Sequence, residues 1–443
     1  MTEVDTLILG GTVLCLDDRM TQIPDGALAI AGDTLVAMGR QEELRGQFTS
    51  QNIIDGNKTL IMPGLINSHT HAAMTCFRGI ADDMNLMDWL NHYIFPAEAR
   101  NVDPELAYWG SLLACAEMIK SGTTSFCDMY IFEEETARAA QEAGMRCLLG
   151  EVLFDFPSPN YQTPQEGLAY TRGLLERWAG NPLISIAVEP HALYTCSRPL
   201  LVEAIKLADE FAVPLALHLL ENAAEQRQLQ NQFGQGAVPY LQGLGCLNER
   251  FIAFHGVYLN EEDMSIFSQQ GCKVVYNPQS NMKLASGCAP VSRMLQAGIS
   301  VGLGTDGCAS NNSLDMFREM NTAAKLEKVI HADPTLMAAP TVVAMATREG
   351  ARVLGMDHLT GSLKPGMKAD LIMIDLQSPH LTPLYHPYSH LVYAANGADV
   401  KSVFINGKMV MRDRRLLTLN EEEIMARVCQ IAERIRHSLE APA

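Results

Sequence analysis

The sequence predicts an α/β fold: a (β/α)8 TIM-type barrel with a small β-sandwich built from both chain ends. Eight short apolar segments occur between residues 61 and 306, and each precedes a connection long enough for a helix. Such alternation over roughly 250–300 residues is typical of a (β/α)8 barrel. Further strand-like segments lie before residue 60 and after residue 360. Neither terminal group is large enough to bury a core alone, so we expect them to fold together.

The terminal strands are recognised as β-rich runs between turn residues such as Gly10-Gly11. We predict four regions: residues 1–60 (first part of the sandwich), 61–360 (barrel), 361–420 (second part of the sandwich) and 421–443 (C-terminal helix). The terminal strands are predicted at residues 6–9, 12–16, 26–30, 34–38, 361–375, 403–406 and 408–411.

The barrel strands are predicted from apolar runs that end in polar residues. Segments whose apolar residues have helical spacing lie between several of these strands, and another such segment lies near the C-terminus. The predicted strands are the segment ending at His69 and His71, then 123–128, 147–152, 184–188, 214–218, 251–255, 273–277 and 299–306. The predicted helices include 103–120, 133–143, 165–178 and 421–439.

Composition excludes several classes of protein. The 443 residues are 47% apolar and 19% charged, which is typical of a well-packed globular chain and argues against disorder. The net charge is −18 and the chain has no Lys/Arg run, so we expect no nucleic-acid partner. No apolar run reaches the length of a membrane span, so we expect no membrane partner.

Cysteine usage and the N-terminus indicate a cytoplasmic protein. The eleven cysteines are scattered without a CxxC pair or framework spacing, as expected of reduced thiols. The N-terminus Met-Thr-Glu-Val-Asp is acidic, whereas a signal peptide begins with basic residues.

Histidines and one aspartate fall at the ends of predicted strands. His69 and His71 end the first strand, and His191, His218 and His255 end the fourth, fifth and sixth. Five of the 12 histidines thus occupy strand ends, which chance rarely produces. Residues two apart on a strand point to the same face, so both imidazoles of His69-Thr-His71 address one space. The alternative is a set of separate core or solvated histidines.

A single metal ion fits this pattern. His69, His71 and His218 supply three nitrogens, and Asp306, at the end of the eighth strand, supplies an oxygen. A catalytic metal keeps one position open for water. A lysine at the end of the fourth strand would allow a second, bridged metal, but residues 187–191 read Ala-Val-Glu-Pro-His. We therefore predict one divalent ion per chain.

Two further residues are predicted to move protons. Glu221 follows His218 in His-Leu-Leu-Glu, where a carboxylate beside a metal ligand can act as a general acid or base. The alternative for Glu221 is an acid at a helix start, favoured by the helix dipole. His255 is positioned to orient the water, and its alternative is a hydrogen-bonded core histidine.

Four short motifs resemble the amidohydrolase superfamily in its mononuclear deaminase branch: residues 63–71 (Pro-Gly-Leu-Ile-Asn-Ser-His-Thr-His), 218–221 (His-Leu-Leu-Glu), 254–256 (Phe-His-Gly) and 304–307 (Gly-Thr-Asp-Gly). Three longer stretches, 87–98, 277–290 and 304–315, are similar to the 5′-methylthioadenosine/S-adenosylhomocysteine deaminases and their triazine-hydrolase relatives. The resemblance covers nearly the whole chain, including the flanking sandwich.

The resemblance implies zinc, or iron, on His69, His71, His218 and Asp306. It also implies a purine nucleoside substrate, with contacts from the following residues: Glu98 to the ribose hydroxyls, His191 to the nucleoside, Ser310 to the purine and Trp89 packed on the ligand. In the implied reaction, Asp306 and His255 take the proton of the water while Glu221 protonates N1 of adenine. Ammonia leaves and a 6-oxo purine remains, as in other zinc deaminases.

One segment departs from the family pattern. Members that bind the homocysteine carboxylate are expected to place arginines after the third strand, but residues 151–157 read Glu-Val-Leu-Phe-Asp-Phe-Pro. Arg146 precedes that strand and is interpreted as structural. This favours methylthioadenosine or adenosine over S-adenosylhomocysteine.

Two other functions stay open. One is a deaminase or chlorohydrolase acting on a free base or s-triazine, such as a guanine-type deaminase. Glu98 argues against it, because a free base has no ribose to hold. The other is a barrel without catalysis, which would not be expected to keep four metal ligands. We also expect a homo-oligomer.

Overall fold

Two groups of parallel strands occupy the middle of the chain in this computed structural model, which describes residues 1–84 and 86–440. In chain order the strands are β1 Thr2–Glu3, β2 Thr6–Leu9, β3 Thr12–Leu14, β4 Gln22–Ile23, β5 Gly26–Ala31, β6 Thr34–Arg40, β7 Phe48–Thr49, β8 Asn52–Asp55, β9 Thr59–Pro63, β10 Leu65–Thr70, β11 Thr123–Tyr130, β12 Arg146–Leu153, β13 Ile184–Ile186, β14 Glu189–Pro190, β15 Leu215–Leu219, β16 Phe251–His255, β17 Lys273–Tyr276, β18 Ser300–Leu303, β19 Leu371–Asp375, β20 Val400–Ile405, β21 Lys408–Arg412 and β22 Arg415–Leu416.

Helices alternate with these strands between residues 100 and 360. In chain order the α-helices are α1 Gln41–Gln47, α2 Leu86–Trp89, α3 Phe95–Asn101, α4 Pro104–Lys120, α5 Glu133–Ala143, α6 Pro164–Arg177, α7 Arg198–Phe211, α8 Ala223–Phe233, α9 Ala237–Leu244, α10 Glu261–Gln270, α11 Pro278–Lys283, α12 Val291–Gln296, α13 Met316–His331, α14 Ala339–Met345, α15 Arg348–Val353, α16 Pro387–Tyr393 and α17 Glu421–Glu440. A π-helical turn, Leu90–Ile94, joins α2 to α3. None of the helices in the described ranges has the length and apolar character needed to cross a bilayer.

The parallel strands follow one another in chain order. The first group runs β10-β11-β12-β13, with β14 also paired to β12, and the second runs β15-β16-β17-β18. Two isolated parallel bridges, Val188 with Leu215 and Ala192 with His218, link the groups. Beyond the last strand, the Asp306 N–H donates to the His69 carbonyl over 2.9 Å. The carboxyl ends of all these strands therefore face one side of the molecule.

Both faces of the parallel strands are buried, with the period of two that a strand imposes. On β16, Phe251 and Ala253 belong to the cluster shared with the surrounding helices. Ile252 and Phe254 belong to a second cluster that also contains Ile66 of β10. Alternate residues thus pack outward on helices and inward against the other strands.

The two chain ends fold together, as predicted. A seven-stranded sheet has the order β22-β21-β20-β19-β9-β3-β4, and a four-stranded sheet of N-terminal strands has the order β6-β5-β2-β8. Residues from both sheets, including Ile8, Ile61 and Phe404, share one hydrophobic cluster. The chain passes from β9 to β10 at Gly64, where an added Cβ would lie 2.0 Å from Thr124 Oγ1.

Three predicted strands differ from the structure. Residues 361–370 are not a strand: Gly361 and Gly366 have φ of +92° and +94°, which extended strands do not adopt. The fourth strand is interrupted between β13 and β14. The eighth ends at Leu303, so that Asp306, with φ +63°, lies in the loop that follows.

Candidate metal centre and its cavity

The predicted site residues meet at the carboxyl ends of the parallel strands. His69 ends β10, His218 lies on β15 and His255 ends β16. His255 and Asp306 both have left-handed backbones, with φ of +72° and +63°. Such a conformation is uncommon in residues other than glycine, and it clusters at functional sites. Here it occurs at the last residue of β16 and in the loop after β18.

The candidate metal centre is formed by His69, His71, His218 and Asp306, with His255 beside them. His71 Nε2 lies 3.1 Å from Asp306 Oδ1, and His69 Nε2 lies 3.5 Å from the same oxygen. Potential ligand atoms of His69, His71 and Asp306 lie within 4.8 Å of one another, as do those of His69, His218 and His255. His69 belongs to both groups and therefore occupies the centre of the cluster.

Hydrogen bonds orient the ligands. His71 Nδ1 bonds the Met129 carbonyl, and His218 Nδ1 bonds the His191 carbonyl over 2.9 Å. Because a carbonyl only accepts, each Nδ1 carries the proton and each Nε2 keeps its lone pair. Ligand histidines are held in this way at metal sites. On Asp306, Ser280 donates to Oδ2 over 2.6 Å, while Oδ1 faces the histidines.

His69 provides the test of whether a metal fits. Its ring is fully buried and stacks on Phe254 with centroids 3.9 Å apart. Within the described part of the chain, neither ring nitrogen makes a hydrogen bond. Leaving buried polar atoms unpaired is costly, and a metal ion would use the lone pair of one nitrogen. The donor set therefore fits a divalent ion bound by nitrogen and carboxylate oxygen.

Burial and neighbouring charges shift the histidine and aspartate pKa values. Burial lowers the pKa of His69 to about 4. Burial is also the largest single effect on His71 and lowers its pKa, but the hydrogen bond to Asp306, the charges of Asp306 and Asp128 and the hydrogen bond to Met129 together raise that pKa to about 9. Burial would raise the pKa of Asp306, yet the nearby His69 and His71 rings hold it well below its ordinary value. Asp306 is therefore held in its ionised form.

Glu221 and His255 face each other beside this centre. His255 Nε2 lies 3.8 Å from Glu221 Oε2, and both residues are buried. Burial, assisted by the charges of Asp306 and Glu225, raises the pKa of Glu221 well above its ordinary value. Burial lowers the pKa of His255 to about 3. Burial thus favours the protonated form of Glu221 and the neutral form of His255, as expected of a proton donor beside a proton acceptor.

A cavity with about 600 Å³ of empty volume opens beside these residues. Its walls include every predicted site residue except His69 and Ser310. The Trp89 indole N–H donates to the Ala81 carbonyl over 3.1 Å, which fixes the ring at the wall.

Glu98 is held in the wall by a tyrosine that the sequence analysis did not identify. The Tyr130 hydroxyl donates to Glu98 Oε1 over 2.7 Å. Burial raises the pKa of Glu98 to about 7, although the Tyr130 hydrogen bond acts in the opposite direction. Its second oxygen is free of Tyr130 and available to a ligand in the cavity.

The end of the cavity near His191 is aromatic. Phe95 and Phe154 lie beside His191, with ring centroids 6.2 and 4.9 Å from its ring. Phe156, outside this wall, stacks on Phe154 at 4.6 Å. The wall residues include no arginine or lysine among the described residues. Leu153, expected here from its position after the third strand, instead packs outward in the cluster shared with the helices.

Ser310 and His191 make hydrogen bonds away from the open volume. The Ser310 hydroxyl donates to Asp306 Oδ2 over 2.9 Å, and its contact with a purine stays a prediction. It is four residues beyond Asp306, and the helical turn folds it back on that carboxylate. His191 Nδ1 bonds the Thr195 hydroxyl over 2.9 Å, and the ring itself lines the cavity.

Several supporting residues could not be recognised from sequence. Asn281 Nδ2 lies 2.9 Å from His255 Nδ1 and Asn277 Nδ2 lies 3.3 Å from it. The stretch containing both asparagines was noted as a motif, but its link to His255 depends on the packing of α11 against β16. Tyr130 supports the site through Glu98, and Glu225 supports it through the Leu220 and Glu221 N–H groups. The sequence does not predict either set of contacts.

These strand ends, histidines and acid–base pair place the chain in a known class of hydrolases. The chain belongs to the amidohydrolase family, whose model matches residues 60–410. It is 75% identical over 442 residues to 5-methylthioadenosine/S-adenosylhomocysteine deaminase 1 of Syntrophus aciditrophicus strain SB, covering 100% of both chains.

Solved structures give the same family and fold. An adenosine deaminase from Xanthomonas campestris with bound zinc has a TM-score of 0.97 and 38% identity, covering 98% of this chain and 99% of that one. Atrazine chlorohydrolase TrzN from Arthrobacter aurescens TC1, complexed with zinc, has a TM-score of 0.90 at 22% identity, covering 96% and 100% of the two chains. The second likeness concerns the fold alone.

Proposed function

We propose that this protein is a metal-dependent hydrolytic deaminase that converts the 6-amino group of an adenine nucleoside to a 6-oxo group and releases ammonia. The observation that carries the proposal is the placement of Glu221 and His255 3.8 Å apart, beside His69, His71, His218 and Asp306. The Syntrophus relative, named a 5-methylthioadenosine/S-adenosylhomocysteine deaminase, supports this substrate class.

The proposed metal ligands are His69, His71, His218 and Asp306, with one divalent ion per chain. Zinc is the proposed ion, supported by the zinc in the adenosine deaminase structure, and iron is the second candidate. When bound, such an ion supplies Lewis acidity that lowers the pKa of water to near neutrality. Metal analysis of the purified protein should give about one ion per chain, and His71→Ala should lose most of it. Two ions at full occupancy would contradict the single site.

The protein side chains would move the protons. Glu221, whose protonated form is favoured by burial, donates to N1 of adenine while a water oxygen bonds to C6. His255 and Asp306 accept the proton of that water. The C6–N6 bond then breaks: the amino group takes the proton held by His255 and Asp306 and leaves as ammonia, the C6 hydroxyl returns a proton to Glu221, and the 6-oxo purine remains. His191 and Trp89 hold the nucleoside in the cavity, and Glu98 accepts from the ribose hydroxyls.

Ser310 is proposed as a residue that holds Asp306 rather than the purine. Its hydroxyl and that of Ser280 both reach Oδ2 of that carboxylate. This leaves Oδ1, at 3.1 Å from His71 Nε2, for the metal.

The aromatic end of the cavity favours an apolar 5′ group. Phe95 and Phe154 suit a methylthio group, whereas an amino-acid carboxylate needs a cation, and its desolvation without one is costly. We therefore propose 5′-methylthioadenosine as the preferred substrate, with adenosine and S-adenosylhomocysteine as further substrates. The preference over S-adenosylhomocysteine should correspond to roughly 1–3 kcal/mol in kcat/KM, the scale of a lost charged hydrogen bond.

A spectrophotometric assay of the four compounds methylthioadenosine, adenosine, S-adenosylhomocysteine and guanine tests the proposal. Glu98→Ala should weaken all three nucleosides alike, because each carries the ribose diol. A protein that deaminates guanine but no nucleoside would instead support the free-base alternative. Loss of the methylthioadenosine preference would indicate that a cation reaches the cavity from a neighbouring subunit.

The architecture of the whole chain is proposed from the same strands. Two features support closure into a (β/α)8 barrel. The parallel bridges join Val188 and Ala192 to β15, and the Asp306 N–H donates to the His69 carbonyl. We propose the four regions 1–60, 61–360, 361–420 and 421–443, with the terminal strands as a sandwich. All eleven cysteines are free, which supports a reducing, cytoplasmic location. A homo-oligomer is proposed, to be checked by light scattering.

A further inference from the structure

The turn after β15 is held by a buried carboxylate. Glu225 Oε1 accepts the Leu220 N–H over 3.0 Å, and Glu225 Oε2 accepts the Glu221 N–H over 2.7 Å. The Glu225 side chain is only 2% exposed, so these bonds are made away from solvent. One carboxylate thus holds two successive backbone groups, the second of which belongs to the proposed acid.

The turn needs such support because its backbone is strained. Leu220 has φ +53°, a left-handed conformation that L-amino acids other than glycine, asparagine and aspartate seldom adopt. Strained residues persist where the surroundings over-determine them. Here the Tyr258 N–H donates to the Leu220 carbonyl over 3.0 Å, and Glu225 takes the N–H on the other side. The strain turns the chain so that Glu221 faces the cavity.

A general role at the helix start does not account for Glu225. The amide oxygen of Asn222 already caps α8, accepting the Ala224 and Glu225 N–H groups. In α10, by comparison, the acid at the same position, Asp263, accepts the N–H of its own cap, Asn260. Glu225 instead reaches past its cap to Leu220 and Glu221. The two hydrogen bonds that offset the desolvation of this buried carboxylate therefore also fix the conformation of that turn.

We propose that Glu225 is the positioning residue for Glu221, holding the left-handed turn at Leu220 so that the acid reaches the adenine ring. This inference rests on the proposed deamination. The charge of Glu225 acts in the same sense, since it contributes to the raised pKa of Glu221 after burial and Asp306. Glu225 itself touches neither the cavity nor the proposed metal ligands.

Glu225→Gln tests the proposal, because glutamine keeps the size but offers an N–H to one of the two backbone N–H groups. We expect kcat for methylthioadenosine to fall about 10–10²-fold, the scale of a misplaced catalytic group. Metal content should stay at the wild-type level and KM within about threefold, since the ribose contacts are unaffected. Glu225→Asp keeps both acceptor oxygens on a shorter side chain, so its kcat should lie between those of wild type and Glu225→Gln.

Glu166→Gln is the matched control. Glu166 occupies the same position in α6, and its Oε2 accepts the Gln162 and Thr163 N–H groups over 2.7 and 3.2 Å, but it is exposed and outside the cavity wall. It should keep wild-type kcat. If Glu225→Gln does not fold, Glu225→Asp carries the same measurements.

A double-mutant cycle separates positioning from a merely structural role. If Glu225 acts through Glu221, Glu225→Gln should lower kcat by no more than about twofold in a Glu221→Gln background. Equal losses in both backgrounds, loss of metal, or a Glu225→Gln kcat within about twofold of wild type would overturn the inference. A wild-type protein that deaminates no adenine nucleoside would instead overturn the proposed function.

Discussion

Glu221 and His255 lie 3.8 Å apart, and their surroundings move their pKa values in opposite directions. Burial disfavours the charged form of each, which protonates the carboxyl and deprotonates the imidazole. A residue pair of this kind supplies a proton donor and a proton acceptor at the same pH.

Glu221→Gln should keep the fold and the metal but lose most turnover, because an amide cannot pass a proton to N1. General acid–base groups contribute about 10²–10⁴-fold, and we expect a kcat loss of this size. Steady-state kinetics on methylthioadenosine, with metal content measured on the same sample, checks it. A rate within about threefold of wild type would show that Glu221 is only an acid at a helix start.

Glu98 should make nucleoside binding pH-dependent. Burial raises its pKa to about 7, so the carboxyl is protonated below that pH and ionised above it. Only the ionised form accepts from both ribose hydroxyls. KM for adenosine should therefore rise as pH falls from 8 to 6, by up to about tenfold for the last pH unit.

The control for this pH effect is 2′,3′-dideoxyadenosine, which has no diol for Glu98 to accept from. Its KM should change little between pH 8 and 6 in wild type. Glu98→Gln should flatten the dependence for adenosine. Equal pH slopes for both nucleosides would assign the effect to another group.

At the level of single residues, position along a strand predicted which side chains meet, but not what each one contacts. His69, His71, His218 and Asp306 were found because strand ends share one edge of a parallel sheet. Ser310 was placed near the same edge, yet its rotation toward Asp306 depends on the turn that follows. Tyr130 lies beyond the strand predicted at 123–128, and only the fold shows that it ends β11 and reaches Glu98.

Among the elements, long amphipathic segments were predicted closely and short ones at the cavity were not. Helix α4 was predicted at 103–120 and begins at Pro104, with Asp103 as its cap. The segment from α2 to α3 was noted as a motif without an assigned structure. Its apolar residues Leu86, Leu90 and Ile94 recur every four residues, as on one helix face, and they belong to a hydrophobic cluster that also lines the cavity.

Gly64→Ala should destabilise the join between β9 and β10. The new Cβ would lie 2.0 Å from Thr124 Oγ1 and 2.1 Å from its Cγ2, and a β-branched side chain on a buried strand has little room to move. Overpacking of this kind costs about 1–3 kcal/mol. The midpoint of urea denaturation should fall accordingly.

Gly173→Ala is the matched control for Gly64→Ala. Gly173 lies inside α6, and nothing stands within 4 Å of an added Cβ. Alanine is favoured over glycine in a helix interior by about 1 kcal/mol, so this midpoint should rise. If the denaturation midpoint fell equally in both variants, the loss in Gly64→Ala would not come from the close approach to Thr124.

For the whole molecule, the union of the chain ends was predicted from their size, whereas the contacts that join them to the parallel strands were not. Arg146, interpreted as structural, begins β12 and is buried. Its Nε donates to Asp370 Oδ2 over 2.8 Å, and its Nη2 donates to Asn406 Oδ1 over 3.2 Å. Residues 224 positions apart cannot be paired from a single sequence.

The Arg146–Asp370 ion pair should therefore be a main determinant of stability. Arg146→Met leaves the Asp370 carboxylate buried without its cation, and breaking a buried pair in this way costs about 3–5 kcal/mol. Asp370→Asn in the Arg146→Met background removes the unpaired buried charge. The Asn406 N–H donates to Asp370 Oδ1 over 2.5 Å, and the amide oxygen of the new asparagine can still accept that hydrogen bond. The double variant should recover part of the loss, as shown by a higher denaturation midpoint than Arg146→Met alone. Arg172→Met, which breaks an exposed pair with Glu210, should leave the midpoint nearly unchanged. If Arg146→Met and Arg172→Met shift the midpoint equally, the buried pair does not hold the terminal sheet to the parallel strands.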